Sequence, residues 1–194
     1  MFLLSFAFLA SVGATPNPIH PQVINQPVPD VPAGTVQTPP VQPAVPEMPV
    51  RVVAKDIGLD VSIENPVSTD IAVLDRALLK GAVRYPTSAQ LGVDGTVLLF
   101  GHSSYLPVVH NQAYKAFNGI QKLKPGQIVH VYSANIDYQY RVVGVTLANA
   151  NQDSITLDPQ GKHLTLVTCD SFATKSSRFI VTTNFVGAYP LVSQ

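Results

Sequence analysis

Between Arg51 and Phe185 the chain is dominated by short runs of valine, isoleucine, leucine and threonine, each stopped by a turn signal. Such runs at 51–54, 61–63, 96–100, 128–132, 138–147, 163–169 and 178–185 are bounded by Asp94-Gly95, Pro125-Gly126, Ala134-Asn135 and Asp158-Pro159-Gln160-Gly161. β-branched segments of this length, punctuated by Gly, Pro, Asn and Asp, read as strands. About eight short strands with one or two short helices predict an all-β domain that closes, or nearly closes, as a barrel. One helix is expected over 71–80, capped by Thr69 or Asp70 and ended by Gly81, with Ile71, Leu74, Leu78 and Leu79 on one face. A shorter one fits 113–117, inside the long mixed stretch 103–119, and long loops in compact domains are usually functional.

Proline divides the chain. Eleven of its 17 prolines lie between residues 15 and 49, where there is no lysine or arginine and only Asp30 and Glu47 are charged. Fixed φ angles and missing N–H groups exclude helix and sheet at that density, so 15–49 is expected to be an extended linker that packs against nothing. At about 3.1 Å per residue, it would reach roughly 100 Å if fully extended. Residues 1–14 are apolar and uncharged. They are too short for a membrane span, which takes about 20 residues. They read either as a signal-peptide core with Val12-Gly13-Ala14 as a cleavage site, or as the end of a membrane anchor. The folded domain is expected over 50–194.

Hydrophobic residues make up 46% of the 194 and charged residues 12%, which suits a folded core but is low for a cytosolic surface. The formal net charge is zero, so nothing points to nucleic acid. A single cysteine excludes an internal disulfide and a thiolate zinc cluster. Asp94, Asp153 and Asp158 lack the spacing of a calcium loop, and no metal or cofactor is predicted.

That cysteine, Cys169, ends an apolar run, Leu164-Thr165-Leu166-Val167-Thr168, and is followed by a turn at Asp170-Ser171. The next run opens on Arg178. Two strands joined by so short a loop pair antiparallel, which sets Cys169 beside Arg178. Upstream, the strand 96–100 runs into Gly101-His102. Three strand ends would then present a thiol, a guanidinium and an imidazole. A thiol of pKa about 8.5 becomes a nucleophile when an imidazolium stabilises its thiolate. A fixed guanidinium suits a developing oxyanion, and a histidine suits proton transfer. On residue chemistry alone the set is also readable as a core thiol, a loop histidine and a surface arginine. His20 falls in the linker and His130 inside a strand, and His163 lies about 20 Å along an extended strand from Cys169. His110, in the loop after His102, stays a second candidate.

At these residues the chain resembles the sortases, cysteine transpeptidases of bacterial surfaces. Thr165-Leu166-Val167-Thr168-Cys169 is similar to their TLxTC signature, Leu99-Phe100-Gly101-His102 to their strand-to-histidine element, and Arg178 stands where they have an arginine. The resemblance covers roughly 50–186. It implies a closed eight-stranded barrel with His102, Cys169 and Arg178 as catalytic residues. From their positions, Thr168 and Tyr105 are candidates to line a substrate groove, the alternatives being a β-branched strand filler for Thr168 and a solvent-covered loop for Tyr105. The resemblance implies attack on a sorting signal of the LPxTG kind in a surface protein, a thioester, and transfer to an amine of the cell wall or a pilin. It also favours the membrane-anchor reading of 1–14, with the domain on the extracellular face. The alternatives are a hydrolytic cysteine peptidase and a non-catalytic wall-binding module.

Overall fold

Eight strands close into one barrel in the order β1-β2-β3-β4-β7-β8-β6-β5, with β5 pairing back onto β1. The strands are β1 Arg51–Ala54, β2 Leu59–Glu64, β3 Ala82–Arg84, β4 Gly95–Gly101, β5 Ile128–Tyr132, β6 Ile136–Asn149, β7 Lys162–Cys169 and β8 Ser177–Pro190. The structure is a computed structural model and describes residues 39–43, 45–104, 106–149, 155–169 and 177–191, with Cys169 described by its backbone alone. All of them fall within the compact unit Gln37–Gln194. No helix among the described residues is long and apolar enough to cross a membrane.

Side-chain alternation sends one face of each strand inward. In β5, Val129 and Val131 are fully buried while Ile128, His130 and Tyr132 are not. Val52, Leu99, Tyr138, Tyr140, Leu164, Leu166 and Val181 complete the same core. β4 is apolar on both faces because its outer side is covered too. Phe100 packs there with Ala77, Leu78 and Val83, under the helix α1 (Ile71–Leu78). Asp70 caps α1 by accepting from the N–H groups of Ala72 and Val73 (2.9 and 3.2 Å). The helix ends two residues before the predicted Lys80, and Ile71, expected on the buried face, is 76% exposed in its first turn.

Most strands extend beyond the predicted runs, β6 and β8 to 14 residues each, and their ladder carries irregularities at Gln139/Tyr140 and Val142/Gly144. β3 is the strand that local pattern does not announce. It is three residues long and joins β2 in parallel through Ile63↔Ala82 and Glu64↔Val83.

The end of the proline-rich segment departs from expectation. Val41, Glu47 and Pro49 are bonded to the barrel instead of packing against nothing. The Val41 N–H donates to the Ala188 carbonyl (2.7 Å), Glu47 and Leu91 exchange both backbone bonds (3.1 and 2.9 Å), and the Asn65 amide donates to the Pro49 carbonyl (2.7 Å). Prolines cannot donate, but the residues between them can, and isolated bridges need only those.

Candidate active site

β4 and β7 run parallel, and their register determines which residues meet at the top of the barrel. The pairs run from Gly95↔Lys162 to Gly101↔Thr168. The residue that follows Gly101 is His102 and the one that follows Thr168 is Cys169, so both lie one step beyond the last pair of the ladder. On the other flank of β7, Cys169 pairs with Arg178, the second residue of β8. One strand end thus stands between the other two.

A cleft of about 530 Å³ opens at this end and is lined by His102, Thr168 and Arg178. Its floor and walls are largely apolar, with Leu98, Phe100 and Val167 from the strands and Leu74 and Leu78 from α1. Ile155 and Leu157, in the connection to β7, border it as well. His110 is exposed and is not among the residues lining the cleft, so the geometry favours His102 of the two loop histidines. His163 is engaged elsewhere, its Nδ1 donating to Asn184 Oδ1 at 3.1 Å, and His130 is held by Asp137 at 2.9 Å in the hairpin formed by β5 and β6. Tyr105 and His20 lie outside the described residues.

His102 is held from several directions. Its carbonyl accepts from the Phe117 N–H at 2.8 Å, and its ring lies 5.2 Å from that of Tyr114. Two residues on, Ser104 and the Asn118 side chain exchange hydrogen bonds, both at 2.8 Å. Gly101 permits this arrangement: a Cβ there would sit 2.9 Å from Phe117 Cγ, so the aromatic ring rests directly on the backbone. Thr168, expected near substrate, is 2% exposed and donates its hydroxyl to the Gly101 carbonyl (2.9 Å), tying the two strand ends together. Tyr114 and Asn118 were not among the sequence candidates. Only the length of the loop after His102 hinted at them.

Burial lowers the His102 pKa below the ordinary imidazole value, while the negative charge of Asp75 on α1 partly opposes the shift. Asp75 lines the same cleft and was likewise absent from the sequence candidates. Further back, buried Arg84 donates to the Ser88 carbonyl (2.7 Å) and to Asn65 Oδ1 (3.2 Å), fixing the turn that carries Tyr85 to the cleft. Its pKa is lowered by burial. A site of this kind can hold an extended apolar segment beside a nucleophile, a proton carrier and a fixed cation.

Comparison with known proteins bears on the family and the fold. A family model described as a sortase domain matches residues 53–186. Sortase A of Bacillus anthracis is 28% identical over 129 residues, which are 66% of this chain and 56% of that relative. Among solved structures, Listeria monocytogenes sortase A superposes with a TM-score of 0.59 at 19% identity, over 76% of this chain and 93% of that one. Sortase C-1 of Actinomyces oris gives 0.56 at 25% identity, over 74% and 75%.

Proposed function

Because the chain belongs to the sortase family, we propose that it is a cysteine transpeptidase of surface proteins, with Cys169 as nucleophile, His102 as proton carrier and Arg178 as the oxyanion or carbonyl donor. The Cys169 thiolate attacks a backbone carbonyl of an LPxTG-like sorting signal. Charge develops on the carbonyl oxygen, and a guanidinium on a strand can be aimed at it without reorganisation. His102 gives a proton to the departing amine, leaving an acyl-thioester. A second amine, from cell wall or pilin, then attacks the thioester and the thiolate is released.

The observation that carries this reading is the register. Gly101 stands opposite Thr168 and Cys169 opposite Arg178, which supports a set at neighbouring strand ends, and His102 and Arg178 line one cleft. The largely apolar lining suits the leucine and proline of such a signal. In the same reading residues 1–14 are the end of a membrane anchor, the proline-rich segment ahead of Val41 spaces the barrel from the surface, and the domain works on the extracellular face.

Mass spectrometry tests the proposal. Incubation with a sorting-signal peptide should give an adduct on Cys169 with loss of the carboxyl-side fragment, and added amine should divert the thioester from hydrolysis to amide. Hydrolysis alone, whatever amine is supplied, would support a peptidase instead. Retention of function by Cys169→Ala would support a binding module.

A further inference from the structure

Two formal charges of opposite sign face one cleft without being used by the fold. Asp75 is the only acidic residue among the described residues lining it, and it is exposed. Among the described residues, neither Asp75 nor Arg178 takes part in an ion pair. The proposed chemistry has a place for the guanidinium. A carboxylate is the wrong sign for the first half of the reaction, because it repels both the thiolate and the oxyanion. It is the right sign for two participants: the His102 imidazolium, which it already favours, and the incoming primary amine, which is a cation at neutral pH and brings its own charge to the cleft.

We infer that Asp75 determines acceptor selection, drawing the ammonium group of the incoming amine to the α1 wall of the cleft beside His102. This rests on the reading of the chain as a transpeptidase. The captured ammonium first loses a proton to solvent. The free amine then attacks the thioester carbonyl, forming the C–N bond as the C–S bond breaks. The second proton on nitrogen passes to His102, and sulfur leaves as thiolate, so the resting thiolate–imidazolium pair is restored with one proton released overall. A neighbouring carboxylate also holds the ammonium in its charged form. The benefit therefore falls on acceptor capture and not on the rate of attack.

The experiment uses the full chain and a sorting-signal peptide, and measures the acceptor concentration at which half of the thioester is intercepted before water takes it. Two nucleophiles are compared at neutral pH: a short peptide with a free primary amine, and hydroxylamine, which is largely uncharged. For the amine, Asp75→Asn should raise that concentration by up to about fivefold, the ceiling for an exposed ion pair. Asp75→Lys should raise it further, Asp75→Glu should restore it, and high salt should erode the wild-type advantage. For hydroxylamine the order of the variants should vanish. Equal shifts for both nucleophiles would mean that Asp75 acts through His102 and would overturn the inference. So would no shift at all, or a change confined to the affinity for donor peptides that carry lysine. A wild-type chain that forms no thioester would sink the transpeptidase reading and this inference together. A normal thioester with an acceptor response indifferent to the charge at 75 would sink this inference alone.

Discussion

His102 carries two opposing influences, and each can be measured. Burial favours the neutral ring, so in a Cys169→Ala chain, where no thiolate complicates the titration, its pKa should lie below about 6.5 by NMR. Asp75→Asn removes the opposing charge and should lower the pKa further. The sign for stability follows. Below about pH 6.5 the unfolded chain binds more protons at this residue than the folded one, so this contribution to stability shrinks as the pH falls. A His102 pKa above about 6.5 would show that burial is the weaker of the two influences. Arg178→Lys keeps the charge but loses the planar fork, and should lower the acyl-transfer rate by roughly 10²-fold while leaving the pH profile in place. Near-normal turnover would remove Arg178 from the oxyanion role. The order of these residues along the chain was legible in the sequence, because His102 and Cys169 close apolar or β-branched runs and Arg178 opens one. Tyr114, Asn118 and Asp75 were not, because their importance lies in contacts between segments far apart in sequence or from separate elements.

At the scale of elements, the end of β4 is the point on which the site depends. Its last residue must be a glycine for Phe117 to close over it, and Phe117 in turn holds the His102 carbonyl. Gly101→Ala should therefore cost about 1–3 kcal/mol, as overpacking does, and should depress activity more than stability because the strain falls on His102. Denaturant unfolding and steady-state rates, compared with a Gly101→Ala/Phe117→Leu chain that relieves the clash, check this. Equal loss in both would mean that Phe117 is not the obstacle. β4, β7 and β8 could be recognised from composition, since each is a long apolar or β-branched run. β3 could not, because three residues of Ala-Val-Arg carry no period and its partners on β2 and β4 come from elsewhere in the chain. The exposed Ile71 shows the limit of helical periodicity, which ranks faces without saying where the covering element ends.

Across the whole molecule, Val41, Glu47 and Pro49 fasten the segment before β1 to the barrel, away from the cleft. Val41 meets β8 at Ala188, ten positions along the strand from Arg178, or about 33 Å. The proline density of this segment argues against regular structure, yet the valine and glutamate between the prolines still find backbone partners. A chain beginning at Val50 should consequently melt roughly 5–10 °C below one beginning at Pro39, given a few backbone hydrogen bonds of about 1 kcal/mol each. Equal melting temperatures would mean that these contacts are incidental. The same attachment governs how the molecule responds to mechanical load. A pull applied through residue 39 meets the Val41, Glu47 and Val50 bonds one after another, as a strip is peeled from a surface, before any strand of the barrel is in tension. In an optical trap the first yield should release about 11 residues, roughly 35 Å of extended chain, at low force and reversibly. The ends of β4 and β7 would stay in register throughout, so tension reaching the domain from that side is absorbed before it can move His102 away from Cys169.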